Sequence, residues 1–149
     1  MTGLLRERVV LEASAQTVWD HVVDWGAQSE WIPLTRARAV TGDGRGVGAL
    51  VEARTGLGPV GFLDTMTITH WDPPRRCELL HTGRVVRGDG GFEVTPLGPL
   101  RCELYWWERF AVPGGPLGAL GWKLLAPTAG VGLRATLHRF RRRVEGSTG

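Results

Sequence analysis

Phe62–Trp71 reads FLDTMTITHW. Phe62, Asp64, Met66, Ile68 and His70 fall on one side of a period of two, and Thr65, Thr67 and Thr69 on the other. Successive side chains of a strand point to opposite sides of a sheet, and β-branched residues suit that pleated surface. The stretch therefore predicts a β-strand with one mostly apolar face. Asp64 is the exception on that face. Burying a lone carboxylate costs several kcal/mol unless it is paired or protonated.

Working outward, Asp72-Pro73-Pro74-Arg75 turns the chain. Arg76–Thr82 returns with Cys77, Leu79 and His81 on one face. Gly83-Arg84 reads as a two-residue hairpin turn that pairs Thr82 with Val85. Val85–Thr95 is a glycine-weakened strand with Phe92 and Val94 aligned. Leu97-Gly98-Pro99 turns into Leu100–Phe110, whose Leu100, Cys102, Leu104, Trp106, Glu108 and Phe110 share a face. Pairing Trp71 with Arg76, Thr82 with Val85 and Val94 with Cys102 puts all these faces on one concave side. In this register His70 lies opposite Cys77, and His81 is diagonal to Asp64, within reach.

Upstream, Arg36–Thr41 and Val47–Arg54 are strands around the Gly42-Asp43-Gly44 turn, and Arg6–Ala13 is a first strand. Between them Ser14 offers an N-cap to a short helix with Val18, Trp19, Val22 and Val23 as its apolar stripe, and Ser29–Pro33 reads as a second short helix. Pro116–Val144 reads as one long helix. Leu117, Leu120, Leu124 and Leu125 line its first half, Pro127 is expected to kink it, and Leu133, Leu137, Phe140 and Val144 line its second half. A sheet with one apolar face needs a cover, and this helix alone is long enough. The fold class is α+β: a seven-stranded curved antiparallel sheet around a long C-terminal helix, in one domain spanning 1–149.

Composition agrees. The chain has 149 residues, 42% hydrophobic and 22% charged, as in ordinary globular domains. It contains no apolar run of membrane-spanning length and no apolar N-terminal signal region, so a cytoplasmic protein without stable membrane insertion is expected. Cys77 and Cys102 are too few for a disulfide framework or a zinc site, and no metal or cofactor is expected. Gly44-Arg45-Gly46-Val47-Gly48-Ala49 fits a loose dinucleotide pattern but precedes a strand, which rejects it. Residues 1–110 hold 12 basic and 14 acidic side chains, against 6 and 1 in 111–149. The cluster Arg139, Arg141, Arg142 and Arg143 offers charge to an anionic membrane or nucleic acid, but reads as a solvated helix end in preference to either.

Ser14-Ala15-x-x-Val18-Trp19-x-x-Val22-x-Asp24-Trp25, Trp31-Ile32-Pro33 and the Trp71-Asp72-x-Pro74 turn together resemble the polyketide cyclase/dehydrase-like branch of the START-related (SRPBCC) superfamily. The resemblance implies a helix-grip fold with strand order 2-3-4-5-6-7-1 and a cavity for lipids, polyketides or quinones. The glycine-rich final helix departs from typical members. The expected function is binding of a small hydrophobic or aromatic molecule. The alternatives are a cyclase/aromatase-type enzyme and a protein-interaction module using Trp107, Trp122 or the arginine cluster. Candidate cavity residues are Trp31, Phe62, Asp64, Met66, Ile68, Leu79, His81, Phe92, Leu104, Trp106, Glu108, Leu124 and Leu133, with Asp64 and His81 as candidate acid/base groups. Glu108 suits a ligand hydroxyl or an arginine at the rim. Sequence sets no oligomeric state.

Overall fold

A computed structural model describes residues 1–147. Its elements are β1 (Thr2–Leu11), α1 (Ala15–Val22), a 3-10 turn (Trp25–Glu30), β2 (Thr35–Ala39), β3 (Leu50–Leu57), β4 (Val60–Asp72), β5 (Arg76–Thr82), β6 (Arg87–Gly98), β7 (Arg101–Ala111) and α2 (Gly115–Ser147). The strands form one antiparallel sheet in the order β1-β7-β6-β5-β4-β3-β2. The fold is the helix-grip α+β architecture expected from the sequence.

Alternation explains the sheet. Val9, Leu11, Val51, Ile68, Cys77, Leu79, Phe92, Val94, Cys102 and Leu104 all turn inward and are buried. Ser14 caps α1, its hydroxyl accepting from the Thr17 amide at 3.1 Å, and Val18, Trp19 and Val22 seal one end of the sheet. Leu137, Phe140 and Val144 of α2 complete the core. α2 runs alongside β1 in the same direction. Its Trp122 packs near Gly3, Arg134 reaches Glu7 at 3.5 Å, and the Glu145 carboxylate accepts from the Glu12 amide at 3.0 Å. A side chain on Gly3 would lie 2.9 Å from the Phe110 ring and 3.1 Å from that of Trp122, so glycine there lets the helix approach.

Three pairings differ from the sequence expectation, and parity decides their effect. Thr82 pairs with Arg87, not Val85, because residues 83–86 form a longer connection than a two-residue turn. Val94 pairs with Leu104, not Cys102. Each slip is two residues and leaves every side chain on its face. The third does not. A bulge between Ile68 and His70 sets Trp71 opposite Cys77 and His70 opposite Glu78. One extra residue reverses parity beyond it. His70 is therefore exposed, while Trp71 turns inward against Trp19, ring centroids 5.1 Å apart.

Two helical expectations also change. The second short helix is a 3-10 turn over Trp25–Glu30, ahead of the expected Ser29–Pro33, because Trp25 and Gln28 are its inward anchors. The Trp25 indole donates to the Gly44 carbonyl at 2.9 Å. In α2 the first-half leucines do not face the sheet: Leu117, Leu120, Leu124 and Leu125 are 82%, 56%, 72% and 63% exposed. The turn of the helix that presents Trp122 to Phe110 (centroids 4.8 Å apart) directs them outward.

The bulge gives a direct test. Trp71→Ala should lower the urea-unfolding free energy by about 2 kcal/mol or more, and His70→Ala by under about 0.5 kcal/mol. An unbroken alternation through His70 would give the reverse order.

Candidate functional site

Asp64 leaves the inner face of β4 beside His81 on β5, diagonal across the Met66–His81 pair. Both carboxylate oxygens of Asp64 lie 2.9 Å from His81 Nδ1. On the other side, His81 Nε2 lies 2.8 Å from Glu108 Oε2 on β7. Glu108 Oε1 accepts from the Trp106 indole N–H at 3.1 Å.

His81 and Glu108 stand on strands that are not neighbours, since β6 runs between them. Next-but-one strands are roughly 10 Å apart, too far for contact across an intervening side chain. β6 has none here. Gly88 pairs with His81, and Gly90 pairs with both Leu79 and Glu108. A Cβ on Gly90 would stand 2.3 Å from Glu108 Oε2. Two glycines thus bare a strip of the sheet, and the Glu108 carboxylate lies over it to reach the imidazole.

The charge state of His81 follows. Burial disfavours the imidazolium, but hydrogen bonds to Asp64 and Glu108, together with their charge, outweigh burial and lift its pKa to about 10. At neutral pH both ring nitrogens donate. The trio is a cation held between two anions, with one formal negative charge in excess. Among the described residues, no group of three or more His, Cys, Asp or Glu is disposed to hold a metal ion.

The trio sits in the wall of a hollow of about 260 Å³ between sheet and α2. Trp31, Met66, Trp106 and Leu133 supply apolar wall, with Asp64, His81 and Glu108 as its ionisable part. Trp31 meets Trp106 edge-on at 5.9 Å and Phe140 at 4.8 Å. Side-chain exposure rises along the trio from 6% for His81 through 13% for Asp64 to 28% for Glu108, so Glu108 is the member most open to a guest.

Of the other candidate cavity residues, Ile68, Leu79, Phe92 and Leu104 are buried in the core and do not line the hollow. Phe62 lies beyond it near the β3–β4 hairpin, paired with Thr55. Leu124 is on the outward face of α2 and does not line the hollow. Sequence reasoning missed Gln28, Ile32, Thr35, Ala53, Thr55, Thr136 and Leu137. Thr35, Ala53 and Thr55 have the parity of inward positions, which was the available signal; Gln28 had none. Of the two tryptophans considered for partner binding, Trp107 stacks on Tyr105 (5.6 Å) beneath Arg76 on the outer sheet face, and Trp122 packs on Phe110.

A helix-grip sheet enclosing a small hollow with a charged trio in its wall defines the class. Residues 3–145 match the family described as Polyketide cyclase / dehydrase and lipid transport, and the chain belongs to that family. Its fold is similar to the ZhuI aromatase/cyclase from Streptomyces sp. R1128 (18% identity, TM-score 0.72, covering 100% of this chain and 99% of that one). It is similar to a START superfamily protein from Mycobacterium smegmatis (20%, 0.75, 96% and 97%). A protein from Thermus thermophilus superposes at a TM-score of 0.80 with 13% identity, covering 99% and 100%. No curated protein matches the chain in sequence. At these identities the structural likeness is one of fold.

Two measurements follow. Because the folded pKa of His81 is raised above its unfolded value, its stabilisation is fully present below about pH 6.5 and is lost as pH rises through about 10. Urea-unfolding free energy should decline across that window, and His81→Gln should flatten the decline while costing about 3 kcal/mol near neutrality by leaving two neighbouring carboxylates without the cation between them. Separately, Gly90→Ala should push Glu108 off His81, so that the imidazole titrates at lower pH by NMR.

Proposed function

We propose that residues 1–149 act as one unit that binds a compact aromatic or apolar molecule in the hollow, oriented by a hydrogen-bond donor on the ligand directed at Glu108. The observation that carries this reading is the position of the trio: a hydrogen-bonded charge cluster in the wall of a hollow lined otherwise by uncharged, largely apolar side chains. Ligand sites combine apolar walls with a few convergent polar groups.

Volume supports a small guest. Ligand pockets commonly run from about 300 to 1,000 Å³, and an apolar cavity of about 150 Å³ takes benzene. The hollow's 260 Å³ suits one or two fused rings. Charge supports a donor. With one excess negative charge, the trio accepts from a hydroxyl or amine and repels a carboxylate.

His81 does not suit the role of general base. It is already protonated at neutral pH, with both nitrogens donating to carboxylates, and so has no lone pair for a substrate proton. Cyclase-type chemistry in this hollow would fall to Glu108. The family and the shared fold leave that second reading open as a class, and fold alone assigns no activity.

Quenching of Trp31 and Trp106 fluorescence by naphthol and by naphthoate tests the proposal. Naphthol should bind and naphthoate should not, and Glu108→Gln should weaken naphthol roughly tenfold or more, the worth of a hydrogen bond to a charged acceptor. Equal binding of both probes, or of neither, overturns the polar anchor. Native mass spectrometry of the purified chain should show adducts of small mass.

A further inference from the structure

The outward face of α2 is an apolar surface that the hollow does not use. Leu117, Leu120, Leu124 and Val131 recur at spacings of three, four and seven, so they form one stripe on a helix of 3.6 residues per turn. They are 82%, 56%, 72% and 67% exposed. The opposite face of the same helix already packs through Trp122, Leu137, Phe140 and Val144. A surface helix that is apolar on both sides implies a second apolar environment.

Charge identifies that environment. From Gly115 to Val144 the helix holds Lys123, Arg134, Arg139, Arg141, Arg142 and Arg143 and no acidic residue. Arg134 is paired with Glu7 and Arg143 with Glu30. Arg139, Arg141 and Arg142 carry no ion pair among the described residues. The stripe's own spacing continues from Val131 through Ala135 and His138 to Arg142, so the line that begins in leucine ends in cationic side chains. Leucines seated among acyl chains beside arginines at headgroup level form the pattern of a helix lying in an anionic lipid interface.

We propose that the outward face of α2 docks the protein on an anionic lipid bilayer, with the helix in the plane of the interface. No helix among the described residues is long and apolar enough to cross a membrane, so the attachment is peripheral. It is independent of the ligand reading, because the stripe faces away from the hollow.

The test is co-sedimentation of the full chain with phosphatidylcholine vesicles, with and without phosphatidylglycerol. The chain should pellet with the anionic vesicles and release as salt rises. Leu120→Gln/Leu124→Gln should weaken partition by about tenfold or more. Arg139→Gln/Arg142→Gln should weaken it roughly 25-fold, at about fivefold per charge near the surface. All four side chains lie outside the buried core, so circular dichroism should show both variants folded. Failure to pellet with anionic vesicles, or pelleting that neither variant reduces, overturns the proposal. So does a dimer that disperses in the leucine variant while no vesicles bind, which would assign the stripe to a second copy.

Discussion

A sheet with one apolar face must be covered, and here the cover is sunk deeply at one end and touches the sheet through a single indole near the other. Leu137, Phe140 and Val144 sink into the concave side, while the first half of α2 lies beside β1 with its leucines in water. Between the Trp122 contact and the buried C-terminal part of the helix, the space beneath its middle is left partly unfilled. That space is the hollow, bounded by Leu133 on the helix and by Trp31 and Trp106 below.

The hollow and the core are joined by aromatic rings. Trp71, Trp19, Phe92, Trp106, Trp31 and Phe140 follow one another with centroid separations of 4.8 to 5.9 Å. Edge and offset contacts of this kind add specificity beyond area burial. A wall built this way holds its shape and so fixes the indole of Trp106 that orients Glu108. The rigid wall and the charged trio are parts of one arrangement, in which the apolar packing positions the polar groups.

The fold was legible because alternation and helical spacing are local. Asp64 beside His81 also followed from a turn and a period of two. What sequence could not supply came from events that alternation does not record. Thr69 is an extra residue that turns His70 out and Trp71 in, and no turn residue marks it. The reach from His81 to Glu108 depends on Gly88 and Gly90 having inward parity, which reads in sequence as strand weakness and in space as clearance. Spacing alone puts Leu124 in the cavity because a leucine stripe is normally a core stripe; the helix carries two such stripes, and Trp122 selects which one faces in.

The cysteines lead to a different matter. Cys77 and Cys102 are wholly buried and unbridged, on strands separated by β6. Burial pushes their thiols up to about 12 and about 11. The thiolate is the species that attacks oxidants and alkylating reagents. At neutral pH almost none exists, so in the folded molecule these two thiols are shielded from oxidants and alkylating reagents both by burial and by their protonation.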